Sequence, residues 1–555
     1  MIENLQPTRR NVLRSGVAMA TASFLPGRAV AIGLDRRARG VVRTPDGAGL
    51  AGVLVTNGRD IARTDPLGRY ELPLDGDVII SVIKPAGYAP PVDPLTRQPR
   101  FYYIHQPQGT PAEFNMAFAG LAPTGPLPAS VDFVLTPQNE PDSYEAILFA
   151  DPQPETHAEV DFIRDGVVPG LVGTRAAFGV TLGDIVGDNL GLYDRLNQII
   201  GQIGAPWYNV PGNHDLNFES PNDRYARETY KRIFGPTHYA FAYGKALYIM
   251  LNNVVYGGAD ASGPLNESPY GDGISREQLA FVANLLAQTP ADTLIVLGMH
   301  VPLRSWRGAD GREMAVDDCA ELLKLLGDRP CVSFSGHTHM SEHRYIHLDA
   351  KSAPHHHQVL ATVSGSWWSG PYDRRGVAIA DACDGSPSGY YILSVSGTTC
   401  ETRFQSANEA RERQVRAVLC EKLPDEYRSK VAAKLRGPAL SIADSGRTEL
   451  VVNVFDGGPR TRVSCSIGKG QVFEMARENR ADPFVASVYA RNRSSIKPWV
   501  NAENSSHVWS VALPNDLPAG VHRLDIVATD EFGRTHRDHL VFEVMGQTEL
   551  LAMRG

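Results

Sequence analysis

Short apolar runs separated by turn clusters open the mature part of the chain. Residues 40–43 lead into Pro45-Asp46-Gly47, residues 52–55 precede Asn57-Gly58, and residues 68–70 and 78–82 follow. Strand-length runs joined by Asp-Gly and Asn-Gly turns predict a β-sandwich over residues 34–137. The rhythm changes at residue 142. Apolar runs at 144–150, 178–182, 207–210, 246–251, 294–299 and 331–334 alternate with helical patterns at 158–166, 192–203, 223–233, 275–287 and 316–326. Further strand runs at 358–363 and 390–395 close the unit. This alternation predicts an α/β layered domain over 142–404. Ser275 followed by Gln278 has the spacing of a capping box.

Residues 405–445 are charged and read as a helical connector. Strand runs return at 449–454, 461–467, 508–513, 522–528 and 539–544, which predicts an immunoglobulin-like sandwich over 446–547. The chain is therefore multidomain, and its 555 residues suit roughly three domains at about 150 residues each. Apolar residues make up 43%, enough for real cores, which excludes a wholly disordered chain. The net charge is −8 with no basic block, which argues against a nucleic-acid-binding surface.

The one stretch approaching membrane character lies at the start of the chain. Arg9-Arg10 precede a short apolar run at 16–25 and the small-residue site Ala29-Val30-Ala31. This order resembles a twin-arginine (Tat) signal over 1–31, implying the Tat translocase as a passing partner and a periplasmic or secreted destination. Its removal takes away four arginines and one glutamate and leaves a more acidic chain. Six cysteines with no C-x-x-C spacing read as small buried side chains, with Cys383 and Cys400 the pair in which a disulfide would be sought.

In the central domain five polar motifs each follow an apolar run: Asp151-Pro152-Gln153, Gly183-Asp184 with Asp188, Gly212-Asn213-His214-Asp215, His300, and Gly336-His337-Thr338-His339. Sites in such sheets gather beyond the carboxyl ends of the strands. Two aspartates, three histidines, an asparagine and a glutamine form a nitrogen and oxygen donor set suited to Mn, Fe, Zn or Mg. Seven donors are too many for one ion and suit two. His337 and His339 are two apart, so on a strand both would project to one side. Each motif alone has a bland reading as a turn, a helix cap or a structural histidine; their ordered coincidence points to chemistry.

That ordered set resembles the calcineurin-like metallophosphoesterase family. The flanking sandwiches, with Gly365-Ser366-Trp367-Trp368 behind the core, resemble a bacterial exported three-domain branch of it. The run containing Asn57-Gly58 and Gly68-Arg69-Tyr70 looks like a small carboxypeptidase-regulatory-like sandwich. The resemblance implies an αββα central sandwich and two divalent metal ions. Asp151, Gln153, Asp184 and His339 would hold the first ion. Asp184 would bridge to the second, held also by Asn213, His300 and His337. It implies a bridging hydroxide as nucleophile and His214 as the group that protonates the leaving oxygen. Asp188 or Asp215 would hold the His214 ring, and the sequence does not choose between them. Many relatives carry His where this chain has Gln153. A neutral amide oxygen is a weaker, harder donor, so the first ion is expected to bind more weakly, with Mn or Mg favoured over Zn.

Arg304 and Arg307 follow His300 closely and are candidates to clamp a substrate phosphate. Trp306, Trp367, Trp368 and Tyr372 are candidate pocket walls. Residues 252–273 form a long polar loop suited to a rim. His355, His356 and His357 read as a solvated turn, because adjacent side chains diverge. The function expected is hydrolysis of a phosphate mono- or diester on a small molecule or a lipid or glycan headgroup. The rival reading is a retired phosphoesterase fold serving as an exported binding scaffold. The complete donor set favours the enzyme, because Gln153 keeps a donor oxygen.

Overall fold

The computed structural model describes residues 37–259, 270–306, 314–316, 318–349, 352–407, 409–410, 412–468 and 470–546. The expected signal at 1–31, Arg307 and part of the 252–273 loop lie outside the described residues.

Two sheets form the central domain. In chain order its strands are β1 (Ser143–Phe149), β2 (Gly179–Leu182), β3 (Trp207–Val210), β4 (Tyr239–Tyr243), β5 (Ala246–Met250), β6 (Leu294–Gly298), β7 (Cys331–Ser335), β8 (Glu342–Ile346), β9 (His355–Val359), β10 (Gly389–Ser396) and β11 (Thr399–Ser406). One sheet runs β3-β2-β1-β10-β11 and the other β4-β5-β6-β7-β9-β8. The pairs β1–β2, β2–β3, β5–β6 and β6–β7 are parallel. Strands covered on both faces read as nearly unbroken apolar runs, and every residue of β5 and β6 is buried.

The inner faces share a core that includes Leu148, Val180, Tyr248, Val296 and Phe334. Helices α1 (His157–Phe162), α2 (Tyr193–Gly201) and α3 (Glu228–Phe234) belong with the outer face of the first sheet, where Ile147, Phe149 and Trp207 meet Val160, Leu196 and Tyr230. Helices α4 (Arg276–Leu286) and α5 (Cys319–Leu326) cover the second, where Ile249 and Ile295 meet Phe281 and Leu322. The layers are therefore helix, sheet, sheet, helix.

The region before β1 holds a sheet of strands Arg69–Pro73, Arg37–Arg43 and Phe133–Val134, and a four-stranded sheet that includes Leu54–Thr56 and Val78–Ile83. Its apolar residues Val42, Val55 and Ile80 join the inner core of the central domain. Beyond β11, two sheets of four and five strands enclose a separate core around Leu450, Val463, Trp509 and Ile526.

Several expectations need correction. Among the described residues of 405–445 helix is confined to the short turns Asp425–Tyr427 and Ile442–Ser445, and no helical connector forms. Val415–Glu421 is a strand paired antiparallel with Thr448–Val454, and Ala439–Ser441 pairs with the strand Thr535–Met545. Val415, Leu419 and Cys420 bury themselves in the C-terminal sheets, so burial on both faces of the strand outweighs a charged, helix-compatible composition. At α4 only half of the capping box forms. Ser275 Oγ accepts the Gln278 amide N–H, while the Gln278 side chain bridges to the backbone of Asn252. The complete box lies at α1, between Thr156 and Glu159.

The histidine triplet is strand β9, with His357 fully buried. Ser333 Oγ lies 2.7 Å from both His355 Nε2 and His357 Nδ1, which absorbs the polarity that a buried strand could not otherwise carry. The expected pair Cys383 and Cys400 is not joined by a disulfide.

Candidate metal centre

The five motifs leave the carboxyl ends of β1, β2, β3, β6 and β7, and the parallel pairing brings those ends together from both sheets. The chain turns sharply at each end. Asp151, Gln153, Asp184, Asp188, His337 and His339 all have positive φ, between 42° and 75°. Left-handed backbone is uncommon for residues with a side chain and costs of order 1–3 kcal/mol each. Six such positions in one cluster mark a site whose geometry the surrounding core enforces. The strand reading of His337 and His339 is therefore replaced: they lie in a turn beyond β7, and the left-handed backbone aims both rings inward.

Glycines before the polar residues give them room. A Cβ on Gly336 would lie 2.1 Å from Asp151 Oδ2, one on Gly212 2.2 Å from Asp184 Oδ1, and one on Gly183 2.5 Å from His300 Nδ1.

Two donor groups result. In the first, His339 Nδ1 lies 2.8 Å from the Gly365 carbonyl, which places the proton there and turns Nε2 inward as a lone pair. That Nε2 lies 2.8 Å from Gln153 Oε1 and 3.8 Å from Asp151 Oδ1. In the second, His300 Nδ1 donates to the Leu182 carbonyl at 2.9 Å. Its Nε2 faces Asn213 Oδ1 at 2.9 Å, His337 Nδ1 at 3.2 Å and Asp184 Oδ1 at 3.3 Å. Asp184, His300 and His337 bring one ligand atom each within 4.8 Å of one another. Donor atoms for a cation thus crowd together in both groups, and a bound cation or a proton on His300 offsets their repulsion. Carboxylate, imidazole and amide oxygen suit a hard or borderline divalent cation, so the residues fit the expected metal. Imidazoles held through their other nitrogen by backbone carbonyls are the usual support of metal-ligating histidines.

The electrostatics carry the same message. Burial and the nearby Asp184 push Asp151 up to about 7. Burial lowers His300, but Asp184 and Asp151 outweigh it and raise the ring to about 9. Burial and the His300 charge lower His337 to about 3. Burial disfavours the Asp184 carboxylate, yet His300 and His214 hold it below the usual range. His300 thus takes a proton against its burial, while His337 stays neutral beside it.

His214 stands at the mouth, with 30% of its side chain exposed. Its Nδ1 lies 2.6 Å from Asp188 Oδ1, its amide N–H donates to Asp184 Oδ1 at 2.9 Å, and its Nε2 is 4.0 Å from Asp184 Oδ2. Burial works against its charge, but Asp184 and Asp188 raise it to about 9. Asp188 is thus the aspartate on the ring. Asp215 is not: it is buried and accepts from Gly212 N–H at 2.8 Å, Ile185 N–H at 3.2 Å and the Tyr193 hydroxyl at 2.7 Å. It ties the β2 and β3 loops together, and burial raises it to about 6.

Arg304 lies in the short strand Arg304–Ser305, half-buried beside the Cys319 thiol. Tyr372 and Trp306 are exposed, and the Arg344 guanidinium covers the Trp306 ring at 4.1 Å. Sequence reasoning missed Tyr193, the carbonyls of Leu182 and Gly365, and Asn253. The last pins the residue after His300 by donating to the Val301 carbonyl at 2.7 Å and accepting its N–H at 3.0 Å. Backbone carbonyls leave no trace in a sequence. The asparagine pair at 252–253 beside an apolar strand was the one available signal.

Three family models match the chain in order: the N-terminal domain of calcineurin-like phosphoesterase over residues 36–120, calcineurin-like phosphoesterase itself over 150–341, and its C-terminal domain over 357–536. No curated protein matches. Among solved structures, a purple acid phosphatase from yellow lupin (Lupinus luteus) seeds aligns at 12% identity and a TM-score of 0.36, covering 64% of this chain and 78% of that one. The central sandwich with its sheet-rich flanks is the calcineurin-like metallophosphoesterase fold. Three successive matches that together span most of the sequence place this chain in the calcineurin-like phosphoesterase family, as a metal-dependent phosphoric ester hydrolase.

Proposed function

We propose that the protein holds two divalent ions and hydrolyses a phosphate mono- or diester by direct attack of water. The observation that carries this reading is the pair of opposed donor groups, one built from Asp151, Gln153 and His339 and the other from Asp184, Asn213, His300 and His337. When bound, such ions supply an acidified water and draw charge from the phosphoryl oxygens. The chain's own residues do the rest. Asp184 sits between the groups. His214, partly exposed with Nε2 on the Asp184 side, keeps a proton at neutral pH, so it can pass that proton to the departing ester oxygen. Asp188 holds Nδ1 and fixes which nitrogen faces the substrate. Gln153, as a harder donor than imidazole, favours Mn or Mg over Zn in the first group.

The substrate is a phosphorylated small molecule or a lipid or glycan headgroup, met after export by the twin-arginine route. We read the flanking domains as carboxypeptidase-regulatory-like and immunoglobulin-like sandwiches that frame the catalytic unit.

Metal-stripped protein should not hydrolyse a chromogenic phosphomonoester or phosphodiester, and Mn should restore turnover. Asp184→Ala should lower the restored rate on the order of 10³-fold. Full activity in that variant would reject the reading.

A further inference from the structure

We propose that Trp367 is a positioning residue for the Asp151, Gln153 and His339 half of the metal centre, and that the C-terminal domain holds it in place. This rests on the two-ion reading above.

The Trp367 indole lies flat on the His339 ring, with centroids 3.9 Å apart and planes 17° apart. The Gly365 carbonyl takes the His339 Nδ1 proton at 2.8 Å. One short segment therefore fixes the ring at its edge and on its face. An imidazole donates along its plane, so rotation about the Cβ–Cγ bond would sweep Nε2 away from Gln153 and Asp151. The indole blocks that rotation on one side.

The same segment grips the β1 end. Val363 N–H donates to the Ala150 carbonyl at 2.8 Å and Ser364 N–H to the Asp151 carbonyl at 3.2 Å. Trp368 Nε1–H donates at 2.8 Å to the carbonyl of Pro152, the residue between Asp151 and Gln153. Trp367 and Trp368 both take left-handed backbone, with φ of 53° and 57°. That conformation is unfavourable for bulky side chains and persists only where neighbours impose it.

Those neighbours come from the C-terminal part of the chain. Trp367 packs against a cluster made of Cys383 with Val485 and Tyr489 of the helix Pro483–Arg491, Ile496 and Val500. Gly370 N–H donates to the Ser495 carbonyl at 3.2 Å, and Lys497 N–H to Ser369 Oγ at 3.1 Å. Lys497 Nζ sits 3.0 Å from both Glu155 and Glu159, just beyond Gln153. The second donor group has different supports, the Leu182 carbonyl behind His300 and the Asn253 clamp on Val301. Loss of Trp367 should therefore act on one ion and spare the other.

Dialysis of metal-stripped full-length protein against graded Mn, with bound metal counted by elemental analysis, tests this. Wild type should take up two equivalents. Trp367→Ala should bind one normally and the other about 10–100-fold more weakly, the range for groups that orient a metal ligand. Trp367→Phe, which keeps a ring to stack, should recover most of the loss. Lys497→Met should weaken the same equivalent by a smaller factor. Unchanged binding of both equivalents in Trp367→Ala would overturn the proposal. So would loss of both together without rescue by phenylalanine, which would mark a merely structural role. An unaltered Lys497→Met would remove the part assigned to the C-terminal domain. Wild type that takes up fewer than two equivalents would overturn the two-ion reading and this inference with it.

Discussion

His214 and Asp188 divide their work by position. The imidazole faces both the buried Asp184 and the solvent, while the aspartate is 57% exposed and touches only one ring nitrogen of His214. His214→Gln should lower kcat by about 10²–10⁴-fold on alkyl esters, whose leaving oxygen needs a proton. The loss should be much smaller on nitrophenyl esters, whose leaving group departs unaided. Asp188→Asn should give a weaker version of the same pattern, and a leaving-group series of kcat values would show it. Equal losses across the series would argue against proton delivery. Gly336 poses a sharper demand. Its added Cβ would meet the Asp151 carboxylate and not a movable side-chain tip. Gly336→Ala should retain the fold by circular dichroism while losing bound metal and nearly all activity. The sequence displayed both residues as motif members. It could not say that Asp188 and not Asp215 holds His214, because the choice depends on which loop faces inward once β2 and β3 pair.

Elements bring these residues together through strand order. The strands followed by Asp151, Asp184 and Asn213 are neighbours in one sheet, and those followed by His300 and His337 are neighbours in the other. Burial on both faces makes these strands readable, since β3 and β5 stand out as apolar runs between polar turns. The loops were less readable. The residues around Asn253 scan as polar loop, yet the Asn253 side chain is buried and completes both backbone groups of Val301. Asn253→Ala should strand that N–H and C=O and destabilise the protein by about 1–3 kcal/mol in chemical denaturation. Because Val301 follows His300, metal affinity should fall with it. The segment Val415–Glu421 reads as helix yet forms a strand for a related reason: charge is compatible with both, and only the sheet it joins decides.

At the scale of the whole molecule, polar bonds join the regions where apolar packing alone would leave the angle free. Lys84 reaches Glu140 and the Ala242 carbonyl, both at 2.6 Å, between the N-terminal sheets and β4. On the other side Asp384 accepts from Ser341 N–H at 2.7 Å and Ser386 N–H at 2.8 Å, and lies 2.9 Å from His507 Nε2 in the strand Asn504–Ala512. Burial alone would raise Asp384, but His507 and the backbone donors outweigh it and hold the carboxyl below its ordinary value. A depressed acid stabilises the fold above its unfolded pKa of about 4, and that contribution fades as pH falls through the lower folded value. Wild type should therefore lose stability steeply below about pH 4. Asp384→Asn should be less stable by about 1–3 kcal/mol at pH 7 and show a flatter acid limb in thermal melts. Parallel pH curves for the two proteins would count against this assignment.

The sequence by itself determined which candidate donors follow the strands, the order of the motifs along the chain and the alternation of layers, because these follow from residue type and from periods of burial that a strand or helix imposes locally. Tertiary structure alone decided which aspartate meets His214, that the three adjacent histidines are strand and not turn, and that an indole and a carbonyl from beyond residue 360 meet the His339 ring. Those outcomes depend on atoms more than twenty residues apart meeting in space, and no local pattern carries that distance.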